Sequence, residues 1–366
     1  MLDCKNITSL YVHIPFCKHI CSYCDFTKLF YIEEYATKYI EQLFKEIDSY
    51  NLSQLKTIYV GGGTPTALND YLFESLLKRL SVLLSDDYEF CVEANVENLS
   101  SAKLEIMKRY GVNRLSIGVQ SSHDKILKLA GRMHNFADTK NVIALAKEYG
   151  FSNINVDLMF GFPGETINDL IADLNNIVSL DTNHISIYSL TIGKHTKFYN
   201  DNVKEQNSDD SAFFYETVVS FLREHGYKRY EVSNFAKPNF YSKHNTVYWK
   251  NQNYVGVGLG ACGYIDNIRY ENTKNITKYL SGEYILEKEE LSSNEIIEEY
   301  LLTNLRLEDG FLLSDFKNKF GKDFLEEYKD KIKTLKKDNL VVIENDIFKV
   351  TDQGMLLLNR VLVTLL

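Results

Sequence analysis

Positive charge is what this chain has too little of. Across 366 residues, 41 lysines and arginines stand against 50 aspartates and glutamates, a formal net charge of −9. That balance argues against a nucleic-acid groove as the main business of the surface, because phosphate recognition needs a basic face, and leaves room only for local basic patches. Long apolar runs are missing too: none reaches the ~20 residues of a membrane span. No basic, apolar, small-residue leader precedes the first strand-like run, and no repeat or low-complexity tract stands out. The expected compartment is the cytoplasm, where thiols stay reduced. Cysteine is scarce, with six in all, and Cys4, Cys91 and Cys262 are scattered without pairing distances, which argues against a disulfide framework. What remains is ordinary. Hydrophobic residues at 45% and charged residues at 25% suffice for a full core.

The other three cysteines are concentrated. Cys17-Lys18-His19-Ile20-Cys21-Ser22-Tyr23-Cys24 offers three thiolates at CxxxCxxC spacing, directly after the strand-like run Leu10–Ile14. Such a loop can wrap one face of a [4Fe-4S] cubane, leaving the fourth iron open, whereas four-cysteine sites close that position and only transfer electrons. An open iron can be chelated by the amino and carboxylate groups of S-adenosylmethionine, the radical SAM arrangement. A zinc site completed by His13 or His19, and three buried cysteines without metal, are the alternatives.

The element pattern supplies a scaffold for that loop. β-Branched and aromatic runs at 9–14, 56–60, 88–93, 114–119, 153–159 and 184–190 alternate with amphipathic stretches at 33–50, 70–84, 102–109 and 166–180. Repeated βα units predict an α/β fold with a parallel sheet: a partial (βα)6 TIM-like barrel first, a flat doubly wound sheet second. In either, chemistry belongs at the carboxyl ends of the strands. Three regions are expected: a core over 1–200, a linker and ligand-binding region over 201–290, and a small C-terminal winged-helix-like α+β module over 291–366, with a hairpin at 340–350.

Further candidates sit where strands end. Gly61-Gly62-Gly63-Thr64 follows strand two; glycines there let the backbone approach a ligand, or simply make a turn. Glu93 ends strand three and can hold an ammonium group or a ribose hydroxyl, or be a solvated strand-end carboxylate. Gln120 ends strand four. Arg132 follows the next helix, with a guanidinium suited to bidentate carboxylate pairing. Asp157 lies among strand apolars, so it needs either a ligand or an internal partner.

YVHIPFCxxxCxYCDF, GGGTPT, VEAN, RLSIGVQS, GRMH and NVDLMFGFPGET occur here in order. Together they resemble the radical SAM group that includes oxygen-independent coproporphyrinogen III dehydrogenase and the HemW-type heme chaperones. The resemblance extends over nearly the whole chain, through Tyr230–Ala236, His244–Trp249 and the C-terminal module. It implies that Cys17, Cys21 and Cys24 ligate the cluster. It also implies that Tyr11, Gly61, Gly62, Gly63, Thr64, Glu93, Gln120, Arg132, Asp157 and Thr191 form the S-adenosylmethionine pocket. Phe26 stands where the dehydrogenase pattern has a further cysteine, and only sixteen residues precede Cys17, both as in the chaperones. The stretch from His244 to Trp249 looks like the chaperone HNxxYW signature, so His244 is a candidate heme ligand; otherwise it is a loop histidine packed on Trp249. Cys262 replaces a histidine usual in the chaperones; it is either a soft axial ligand itself or, the favoured reading, a small buried residue. The leading expectation is a protein that binds heme and carries it to acceptor proteins. The alternatives are oxidative decarboxylation of coproporphyrinogen III, which would make it an oxidoreductase, and a cluster-bearing regulator. The implied partners are heme or porphyrin, heme-accepting proteins and an electron donor such as flavodoxin or ferredoxin; a homodimer is compatible.

Overall fold

The computed structural model describes residues 7–366, so Cys4 lies outside the described residues. Six parallel strands, β1 (Ser9–Ile14), β2 (Leu55–Gly62), β3 (Leu84–Asn95), β4 (Arg114–Gln120), β5 (Ile154–Phe160) and β6 (His184–Ser189), lie side by side in chain order. Val255–Val257 adds a seventh parallel strand outside β1. Asn234–Ala236 and then Lys228–Arg229 run antiparallel beyond β6. Unbroken chain order means that every crossover steps the same way, whereas a doubly wound sheet reverses its order midway. The sheet is therefore singly wound. It is also curved: residues of β2 and β6 line one cavity, although four strand spacings in a flat sheet would part them by about 19 Å.

Outside the sheet lie helices whose apolar residues recur at three and four. In α1 (Glu33–Ser49), Ala36, Tyr39, Ile40, Leu43 and Ile47 face the core. The helix starts α2 (Asp70–Ser81) and α3 (Ser101–Arg109) are capped by the side chains of Asn69 and Ser100. A reciprocal Thr166–Asp169 capping box starts the helix Ile167–Ser179. Among the described residues no helix is long and apolar enough to cross a membrane.

Residues 255–284 are fastened to α1 by one buried carboxylate. Glu46 accepts hydrogen bonds from Gly258 N (2.9 Å), Asn272 Nδ2 (2.6 Å) and the Tyr279 hydroxyl, and burial raises its pKa to about 7. The C-terminal module has its own core, in which Phe311, Phe316, Phe324 and Phe348 pack edge to face. Its hairpin, Val341–Glu344 with Ile347–Val350, turns through Asn345 (φ 47°) and Asp346 (φ 69°), the left-handed pair a tight hairpin needs. Helices Ser293–Asn304, Leu313–Phe320 and Lys329–Lys337 complete a winged-helix-like outline. The module meets the barrel through Glu308 N to Tyr230 O (3.0 Å), a Glu231–Leu307 bridge and the Arg229–Asp352 ion pair (2.6 Å).

Candidate active site

The cysteine loop is held open by main-chain bonds on both sides. Leu29 N reaches Pro15 O (2.7 Å) and Tyr31 N reaches Cys17 O (2.9 Å), closing the loop at its base. Ser22 N donates to Ala130 O (2.9 Å), and Thr64 N to Phe16 O (2.9 Å), tying it to the carboxyl ends of the barrel. Gly63 has to be glycine for this contact: a Cβ there would lie 2.8 Å from the Pro15 carbonyl and 2.9 Å from Cys17 Sγ. Gly62, at φ +114°, would drive a Cβ into the His13 ring and adopts a backbone that side chains disfavour. The Cys17 thiol lies 3.6 Å from Thr64 Oγ1. Burial pushes the Cys17 thiol up, and that of Cys24 to about 11, so both carry protons that a bound metal would displace.

All three cysteines border a cavity of about 340 Å³ whose wall also holds Gly62, Gly63, Thr64, Glu93, Gln120, Arg132, Asp157 and Thr191. The structure thus brings together eleven of the fourteen anticipated residues. Tyr11, Gly61 and His244 lie behind that wall. Tyr11 donates to His13 Nδ1 (2.9 Å) and stacks on Tyr59. Gly61 leaves room for Glu93, whose carboxyl carbon would be 2.7 Å from a Cβ. His244 is wholly buried on the short helix Lys243–Trp249, its ring nitrogens at 2.8 Å from Thr57 Oγ1 and 2.7 Å from the Tyr248 hydroxyl. Burial lowers its pKa to about 3, so the ring is neutral. It packs on Tyr59, not on Trp249, and neither nitrogen is free for a heme iron. Trp249 instead lies under the Arg306 guanidinium. Cys262 is exposed, against the expectation of a buried residue, because it starts a strand of the small sheet Cys262–Ile265, Ile268–Asn272 and Ile285–Glu290.

The two buried carboxylates of the cavity, Glu93 and Asp157, are paired with the scaffold. Glu93 accepts from the Tyr59 hydroxyl (2.7 Å) and Gly62 N (3.0 Å), and burial raises it to about 7. Asp157 accepts from Asn155 Nδ2 (2.7 Å) and is raised by burial to about 6. Near neutral pH both therefore carry a proton for part of the time, able to donate or accept. Arg132 spends its terminal nitrogens on Gly118 O (2.7 Å), Asn95 Oδ1 (3.0 Å), Glu97 Oε2 (3.2 Å) and Cys21 Sγ (3.6 Å). Its buried Nε alone lacks a partner. The side chain braces Cys21 against β3 and β4, and a bidentate clamp on a carboxylate would require those partners to exchange.

Sequence reasoning missed a polar ladder inside the barrel. Arg114 and Ser116 on β4, Asn155 on β5, and His184, Ser186 and Tyr188 on β6 line the same cavity. Asn155 joins them, donating to Ser116 Oγ (2.8 Å) while its oxygen meets His184 Nδ1 (2.7 Å). The signal was present: parallel strands covered on both faces should be apolar throughout, and these polar residues recur at every second position.

The donor set fits a cluster better than a single ion. Among the described residues no three His, Cys, Asp or Glu side chains converge to hold one metal ion; of the two histidines that could complete a zinc site, His13 has both nitrogens engaged, at Tyr11 and at Thr27 O (2.8 Å), while His19 makes no such bond. A cubane spreads its sulfur ligands over separate irons, as this loop does over one cavity mouth.

Comparison with known proteins agrees. Residues 11–177 match the radical SAM superfamily, and residues 291–357 match the HemN C-terminal domain. The heme chaperone HemW of Lactococcus lactis is 38% identical over 362 residues, covering 96% of each chain. That of Bacillus subtilis is 39% identical over 371 residues, covering 96% of this chain and 97% of the relative. In structure, the coproporphyrinogen III oxidase HemN of Escherichia coli, a radical SAM enzyme, superposes with a TM-score of 0.85 at 22% identity, over 98% of this chain and 89% of that one, a likeness of fold. The superfamily implies a [4Fe-4S] cluster and S-adenosylmethionine. The chain belongs to the radical SAM superfamily and, within it, to the HemW family.

Proposed function

We propose that this protein is a heme carrier: it binds heme and passes it to acceptor proteins, with the cluster and S-adenosylmethionine governing the transfer. The observation that carries this reading is identity of 38–39% across 96% of the chain to relatives named heme chaperones. Phe26 supports it, standing where the decarboxylating relatives have a further cysteine.

In this reading Cys17, Cys21 and Cys24 hold the cluster, and Thr64 and Arg132 fix the positions of Cys17 and Cys21. The walls that would receive S-adenosylmethionine are Glu93, Gln120, Asp157, Thr191 and the main chain of Gly62 and Gly63. Tyr11 and Gly61 act from behind, setting His13 and Glu93 in place. When bound, a reduced cluster with an open iron supplies one electron to the sulfonium, so a flavodoxin- or ferredoxin-like donor is required for any cleavage. Glu93 and Asp157, part-protonated near pH 7, hydrogen-bond amino or hydroxyl groups without imposing two full negative charges on the cavity. Residues 1–200 form the cluster-bearing unit, 201–290 the region that adds short strands to both edges of its sheet, and 291–366 a docking module.

The test is anaerobic incubation of cluster-reconstituted protein with S-adenosylmethionine, a reductant and coproporphyrinogen III, followed by chromatography, with heme transfer to an apo-hemoprotein measured on the same preparation. The expected result is transfer of stoichiometric heme and no porphyrin product. Protoporphyrinogen above the level of a Cys21→Ala control would make the protein a decarboxylating oxidoreductase instead.

A further inference from the structure

A heme iron is held by an imidazole, thiolate, thioether or phenolate from the protein. The chain has eight histidines, and four of them, His13, His134, His184 and His244, are committed through both ring nitrogens. His123 and His225 each engage one nitrogen, at Asp169 O and Phe221 O, and neither borders the cavity. Among the described residues only His19 and His195 have no such bond. Of these, His19 is exposed and borders the cavity, while His195 does not border it.

The surroundings of His19 suit a porphyrin. Phe26, 66% exposed, borders the same mouth together with Ile20 and Tyr188, giving apolar and aromatic faces for a flat macrocycle. Lys28 also borders it. Its ammonium group has no carboxylate partner among the described residues, only the Phe26 carbonyl at 3.3 Å, so a cation is left to meet an anionic propionate.

Resting on the carrier reading above, we infer that His19 is the axial ligand of the transported heme. The porphyrin lies over the mouth of the cysteine loop against Phe26, with a propionate on Lys28. This assignment places the cargo beside the cluster, one loop carrying both. Binding of S-adenosylmethionine in the cavity beneath then alters the floor on which the heme rests, giving a direct physical route from cosubstrate to heme release.

The test titrates ferric heme into cluster-reconstituted wild type, His19→Ala, His19→Met, Lys28→Gln and His195→Ala, all anaerobically. Dissociation constants and low-spin ferric heme signals by electron paramagnetic resonance are read, with iron and sulfide counts verifying the cluster. Because His19 is exposed, its replacement leaves the fold intact. The inference expects His195→Ala to match wild type. It expects His19→Ala to bind at least ~10-fold more weakly and to lose the imidazole-type signal, with free imidazole restoring it. His19→Met should shift the signal to a thioether type, and Lys28→Gln should weaken binding while leaving the signal unchanged. If wild type and His19→Ala bind heme with the same affinity and the same signal, the ligand assignment is overturned and the carrier reading stands. If wild type binds no heme, the carrier reading falls and the assignment with it.

Discussion

Glu231 sits at the junction between barrel and C-terminal module, 1% exposed, and neither carboxylate oxygen makes a well-formed hydrogen bond, although Ser233 and Asn234 lie close enough to stabilise its charge in part. Burial raises its pKa from the ordinary 4.5 to about 7, with nearby Ser233, Asn234 and Arg306 only partly offsetting the penalty. The sign follows directly. In the unfolded chain this carboxyl ionises near its ordinary value, whereas in the folded protein it keeps its proton to about pH 7. Its contribution to stability is whole below the unfolded pKa and is lost as pH rises through the folded one. A shift of roughly 2.5 units is worth ~3 kcal/mol at most, since one unit is 1.36 kcal/mol. Glu231→Gln cannot ionise, and the new amide can donate to Asn234 Oδ1, a buried acceptor without a partner. We expect the variant to match wild type near pH 5 and to exceed it by about 1–3 kcal/mol at pH 8. That is a rise of about 1–4 °C in the thermal midpoint, read by calorimetry on cluster-loaded protein at both pH values. A variant less stable at pH 8, or a difference independent of pH, would refute the reasoning.

Other expectations follow from the same geometry. Gly63→Ala forces a Cβ against the Pro15 carbonyl and Cys17 Sγ; overpacking of this kind costs about 1–3 kcal/mol, and the reconstituted iron and sulfide content should fall while far-ultraviolet circular dichroism stays unchanged. Gln120 holds φ +72°, a conformation that costs a side-chain-bearing residue about 1–2 kcal/mol. Gln120→Gly should therefore keep or raise the thermal midpoint while weakening S-adenosylmethionine binding by calorimetric titration. Glu46→Ala strands the Gly258 amide and the Tyr279 hydroxyl and leaves the Asn272 amide only its bond to Gly258 O; at about 1–3 kcal/mol per buried unsatisfied group, limited proteolysis should open residues 255–284 first.

Much of this architecture was written locally. All six barrel strands lie where β-branched and aromatic runs place them, since their outward face is buried under the helices and leaves an apolar residue at every second position, while polar residues alternate with them on the cavity face of β4, β5 and β6. The helix starts follow Asn69, Ser100 and Thr166, whose side chains satisfy exposed amides. The C-terminal hairpin turned where Asn345 and Asp346 tolerate positive φ. Strand order was not local. Choosing between a singly and a doubly wound sheet required the pairings themselves, and Val255–Val257 is too short to carry a strand signature. The cluster loop and glycine turn were legible because their spacing is dictated by chemistry. His244 misled because a histidine beside aromatics looks the same whether it faces a ligand or is locked between Thr57 and Tyr248. Arg132 misled similarly, since sequence cannot reveal that its terminal nitrogens are already spent on Cys21, Asn95, Glu97 and Gly118.

The central claim is that three cysteines leave one iron of a cubane open to S-adenosylmethionine. The measurement that bears on it most directly is electron paramagnetic resonance of the reduced, reconstituted protein with and without S-adenosylmethionine, alongside Cys21→Ala. The account predicts a [4Fe-4S] signal in the wild type that changes when S-adenosylmethionine is added, and no such signal in the variant. A wild-type cluster signal indifferent to S-adenosylmethionine, or a cluster retained without Cys21, would contradict it.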